Sequence, residues 1–102
     1  MITVLFSPDL QTLLAAEQED GMDGELWSVY DLAGKAKWKG YAGTTEKRDG
    51  VDMVVSTFER PEWNRHGELT ARYACTGSPA NGVVTLRRSP CGGWEWQGHA
   101  GC

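Results

Sequence analysis

The chain is 102 residues and 11.2 kDa, enough for one hydrophobic core and too short for two. Hydrophobic residues at 40% and charged residues at 24% exclude disorder, collagen and coiled coil, and no apolar run approaches the roughly 18 residues of a membrane-spanning helix. The net charge of −4 is unevenly spread: residues 1–31 hold seven acids and no Lys or Arg, and all ten basic residues lie beyond them.

Ile2-Thr3-Val4-Leu5-Phe6 is rich in branched residues and reads as a short strand. It is too short, and lacks the basic lead-in, for a signal peptide, so a cytoplasmic location is expected. Ser7-Pro8-Asp9 then carries helix-start chemistry: a hydroxyl N-cap, a proline in the first turn and an acid facing the helix dipole. Leu10, Leu13 and Leu14 at i, i+3 and i+4 form one apolar stripe, which predicts a helix ending near Asp20-Gly21.

From Glu25 onward the pattern is β. Glu25–Leu32 and Ala36–Arg48 read as strands joined at Ala33-Gly34-Lys35. Pairing Leu32 with Lys35 sets Val29 opposite Trp38 and Trp27 opposite Gly40, an aromatic ring covering a cross-strand glycine. Asp49-Gly50 is the strongest turn signal, because both central residues of a type I′ turn need positive φ. Across it Lys47 faces Asp52, Thr45 faces Val54 and Tyr41 faces Phe58. Pro61 is expected to end that strand and leave Trp63–Gly67 as an exposed connection.

Leu69, Ala71, Tyr73 and Cys75 alternate with polar or small residues as in a half-buried strand. Thr76–Gly82 has loop composition, and Val83–Arg88 and Trp94–His99 form a last pair of strands. The expected fold is α+β and a single domain over residues 1–102. It has one N-terminal helix packed on an antiparallel, mostly meander sheet of about six to seven strands.

Few constellations point to chemistry. Three cysteines and no signal peptide argue against a disulfide framework; free thiols are expected, with one disulfide as the alternative. Cys75, Cys91, His99 and Cys102 have the ligand types of a zinc site, but only His99 and Cys102 have paired spacing, so no metal is expected. A Cys91–His99 nucleophile pair lacks any surrounding signature, and His66 falls in a turn; no catalytic residue is assigned. No phosphate loop or dinucleotide fingerprint occurs. A calcium loop counted from Glu19 places Gly21 and Tyr30 where side-chain oxygen ligands are needed. No cofactor is expected.

Two anomalies remain. Glu17, Glu19, Asp20, Asp23 and Glu25 crowd what the helix reading makes a C-terminal end, where the dipole disfavours acids. Five tryptophans are also many for this length; Trp27 and Trp38 read as core, while Trp63, near Arg65 in the expected loop, has the makeup of an interface anchor. The expected function is a small acidic protein-binding module, an inhibitor or adaptor docking on a larger protein with a basic surface. The candidate binding residues are Glu17, Glu19, Asp20, Asp23, Glu25, Trp63 and Arg65. On size and charge alone, compact acidic domains of this sort occur among phage and mobile-element inhibitors of host defence. The alternatives are a nucleic-acid binder using Lys/Arg residues with Trp94 and Trp96 on a sheet face, and a Cys/His enzyme. The acidic pI of about 5.0 disfavours the first.

Overall fold

The computed structural model describes residues 2–19, 21, 24–77 and 80–98. Nine strands form two antiparallel sheets, and no helix occurs among the described residues. The expected α+β fold is therefore corrected to all-β. One sheet has the order β1-β2-β3-β4 and the other β5-β6-β7-β8-β9. A single core between them draws residues from both layers.

The correction begins at the expected helix. Strand β1 (Ile2–Phe6) turns through residues 7–11 into β2 (Thr12–Glu17), pairing Phe6 with Leu13 and Ile2 with Glu17. The Ser7 hydroxyl donates to the Asp9 carboxylate at 2.7 Å and accepts the Thr12 N–H at 3.1 Å; Asp9 also accepts the Gln11 N–H. The groups that would cap a helix thus close a turn, as Ser and Asp do equally well. These bonds, the Ser7 hydroxyl first, hold the Asp9 carboxyl below its ordinary pKa. Leu10 sits at φ 61°, a conformation that no right-handed helix contains. In β2, Leu14 and Ala16 are buried opposite Val29 and Trp27, while Leu13 and Ala15 lie on the other face.

Strands β3 (Leu26–Asp31) and β4 (Ala36–Tyr41) keep the expected pairs Val29/Trp38 and Trp27/Gly40. A register shift after Val29 then pairs Tyr30 with Ala36, so Leu32 does not face Lys35. Asp31 closes the turn instead, its carboxylate accepting the N–H groups of Ala33 and Lys35.

The strand expected over Ala36–Arg48 is two strands in different sheets. Ala42 is the pivot: its N–H donates to the Glu25 carbonyl in one sheet, and its carbonyl accepts the Phe58 N–H in the other. Gly43 follows because any Cβ there would collide with the Ser56 carbonyl. Strands β5 (Gly43–Arg48) and β6 (Val51–Trp63) meet at Asp49 (φ 52°) and Gly50 (φ 78°), the positive-φ pair of a type I′ turn. Lys47/Asp52 and Thr45/Val54 pair as expected. A bulge at Val55 then moves the register by one, so Gly43 faces Thr57 and the Tyr41/Phe58 pairing is lost.

Pro61 does not end β6. It shares a bulge with Arg60 (φ 50°), where no ladder N–H is needed, and the strand resumes to Trp63. Strands β7 (Leu69–Cys75), β8 (Ala80–Arg88) and β9 (Trp94–Gly98) complete the second sheet; β8 starts within the stretch expected to be loop. His99 lies outside the described residues.

At the centre Trp27, Phe58 and Trp96 stand 5.0 to 6.2 Å apart by ring centroid, and Trp38 meets Trp96 edge-on at 5.6 Å. Such pairs each add about 0.5–1.5 kcal/mol beyond the area they bury. They join the two sheets across the sandwich.

Candidate docking surface

The two outer faces of the sandwich differ in character. On the five-stranded sheet the residues alternating with buried Leu69, Ala71, Val84 and Leu86 are Thr70, Arg72, Val83, Thr85 and Arg87. Arg87 pairs with Glu68 at 3.2 Å, and Val83 is the one large apolar side chain in that set. This is an ordinary solvated face. The Asn64 amide, then the neighbouring Arg87, holds the Glu68 carboxyl below its ordinary pKa.

The four-stranded sheet is the reverse. Its outer face carries Ile2, Val4 and Phe6 of β1, beside Leu13 and Ala15 of β2 and Tyr30 of β3. Ile2 is 62% exposed, Val4 49% and Phe6 55%. At the turn end Phe6, Leu10, Leu13, Tyr30 and Leu32 line an open hollow of about 230 Å³. Leu10 and Leu32 are themselves exposed. A contiguous apolar patch of this kind marks an interaction surface more often than scattered exposed residues do.

The structure separates the residues expected to bind a partner. Glu17 ends β2 beside Ile2 and Leu26, exposed on the rim of the apolar face, and Glu19 is exposed just beyond it. The acids therefore follow a strand, not a helix, and no helix dipole acts on them. Glu25 is half-buried and accepts the Trp27 indole N–H at 3.3 Å. Asp20 and Asp23 lie outside the described residues.

Trp63 is not in an exposed loop. It closes β6, packs on the core and donates its indole N–H to the Leu5 carbonyl at 2.9 Å, tying the two sheets together at one corner. Arg65 is exposed in the following turn. Glu17 thus borders the Ile2 end of β1, and Trp63 the Leu5 end. No reading of the residues singled out the apolar face itself. Its signal was the run Ile2–Phe6, apolar at Ile2, Val4 and Phe6 on one face and again at Leu5 on the other.

The remaining candidates are placed as follows. Cys75 is disulfide-bonded, contrary to the expected free thiols, and Cys91 is a free, exposed thiol in the β8–β9 turn. Cys102 lies outside the described residues. Among the described residues no three His, Cys, Asp or Glu side chains gather as a metal site. His66 is exposed in the β6–β7 turn. Trp94 and Trp96 are half-buried against the core, and Lys37 lies over the Trp94 ring at 5.0 Å, so these rings are not laid out on an open sheet face. No helix among the described residues is long and apolar enough to cross a membrane. Comparison with protein-family models, with curated proteins and with solved structures finds no match to this chain.

Proposed function

We propose that the protein is a small binding module, an inhibitor or adaptor, that docks on a larger protein through the outer face of its four-stranded sheet. The observation that carries this reading is the exposure of Ile2, Val4 and Phe6 side by side on one strand, next to the Leu10–Leu32 hollow. Complete burial of one such side chain is worth about 1.5–3 kcal/mol, so covering the exposed halves of three returns roughly 3 kcal/mol. Glu17 and Glu19 on the rim supply the charge complement for a basic partner surface. They raise the rate of encounter more than the strength of the final contact. The Cys75 disulfide favours an oxidising setting over the cytoplasm expected from the N-terminal sequence.

The test is site-specific photocross-linking in a native lysate, with the reactive side chain placed at Leu32 or, as a control, at Thr85 on the polar face. The expected result is a discrete protein adduct from Leu32 that Phe6→Ser abolishes, and none from Thr85. Equal adducts from both positions, or none from Leu32, contradict the reading.

A further inference from the structure

Each sheet has two edges, and among the described residues β1 is the one edge left without protection. Strand β5 is interrupted by a bulge in its pairing with β6 and carries Glu46, Lys47 and Arg48. Strand β4 carries Lys37 and Lys39 and lies against β9 at the join between the layers. Strand β9 carries Glu95 and is the strand that β4 lies against. Charges, bulges and coverage are the usual means of keeping an edge from pairing. Strand β1 has none of them: Ile2, Thr3, Val4, Leu5 and Phe6 are uncharged, contain no proline, and pair with β2 without any register shift.

We infer that β1 pairs antiparallel with β1 of a second copy, about a two-fold axis through Val4, to give a continuous eight-stranded sheet. An isologous pair of this kind satisfies both open edges with one contact. Val4 then faces Val4 of the other copy, and Ile2 faces Phe6, a branched–aromatic pair of the favourable type.

The antiparallel arrangement also keeps the acids of the two copies well apart. Residues 1–31 hold seven acids and no basic residue, so two copies repel unless their acids are kept apart. Glu17 lies level with Ile2. The two-fold places the two Glu17 side chains about 14 Å apart along the strands and about 14 Å apart across three strand spacings. The resulting separation of roughly 20 Å is beyond the ~8 Å screening length at physiological salt. The Ser7 N–H donates to the Thr12 carbonyl, so by the alternation of an antiparallel ladder Thr3 and Leu5 turn their backbone groups toward β2 and Val4 turns its own toward the open edge. The contact of two five-residue strands is smaller than the ~1,200 Å² of a stable complex, so the dimer is expected to be weak and to form only at high protein concentration.

This inference shares β1 with the proposed function but uses the open backbone edge of the strand rather than the outer face of the sheet. Its test uses purified protein alone, whereas the lysate test runs at concentrations where the protein is monomeric. By sedimentation equilibrium the average mass should rise from the 11.2 kDa of the monomer toward twice that value between about 10 µM and 1 mM. Val4→Lys should stay monomeric throughout, and Val83→Lys on the other sheet should dimerise like the wild type. Oxidative trapping covers the case in which the lysine variant fails to fold. In a Cys91→Ser background, Val4→Cys should give a covalent dimer, because opposed residues on paired strands lie within disulfide reach. Phe6→Cys should not, since the two copies of that position lie ~14 Å apart along the strands. A wild-type protein that stays at 11.2 kDa up to 1 mM overturns the inference, as does trapping that is equal for the two cysteine variants.

Discussion

Gly50 shows how far a single residue can be read without coordinates. Asp49-Gly50 demanded a type I′ turn, and the turn is there, with both φ angles positive. A Cβ on Gly50 would meet nothing within 4 Å, so only backbone strain opposes a substitution. Gly50→Val is expected to cost about 1–2 kcal/mol, because a branched side chain tolerates positive φ poorly. The check is the urea midpoint; an unchanged midpoint would mean that the turn has another geometry. Trp63 marks the limit of such reading. A tryptophan between a proline and an arginine looks the same whether it is an interface anchor or, as here, a core residue with its N–H on the Leu5 carbonyl. Its partner is 58 positions away, and nothing local encodes that.

At the scale of elements, the register of β3 with β4 and the tip of the β5–β6 hairpin were legible, because cross-strand pairs and turn residues are local in sequence. The helix was not. Thr12–Glu17 is apolar on both faces, so it carries neither a clean period of 3.6 nor a clean period of two. Pairing with β1 and β3 settles the matter, and the leucine spacing is incidental. Bulges at Val55 and at Arg60-Pro61 were also invisible, since each depends on what lies across the ladder.

One substitution separates the two structures of the first segment. Leu10 holds φ 61°, where a side chain costs about 1–2 kcal/mol. Leu10→Gly is therefore expected to raise stability by about 0.5–1 kcal/mol, net of the small loss from an exposed side chain. In a helix interior the same change would cost about 1 kcal/mol. Thermal or urea unfolding of the variant reads the sign directly, and destabilisation would return the segment to the helical reading.

For the whole molecule, the number of layers followed from a feature that composition does not show, the passage of the chain between sheets at Ala42-Gly43. The choice turns on a residue small enough to be fully buried and a glycine that lets two backbones approach. Once the sandwich closes, Trp27, Phe58 and Trp96 fill its centre, and the two outer faces become distinguishable, one polar and one apolar. The acidic bias was plain in the sequence, and Glu17 and Glu19 do border the apolar face. What they border could not be seen until β1 and β2 were known to be neighbours.

The central claim, docking by an apolar face with an acidic rim, makes the two groups of residues kinetically separable. The decisive measurement is the rate of association and dissociation with the cross-linked partner, at low and high salt, for the wild type, for Glu17→Gln/Glu19→Gln and for Phe6→Ser. Neutralising the rim is expected to slow association and flatten its salt dependence while leaving dissociation nearly unchanged. Phe6→Ser is expected to speed dissociation about tenfold or more, with association little altered. Unchanged rates for both variants at every salt concentration would contradict the account.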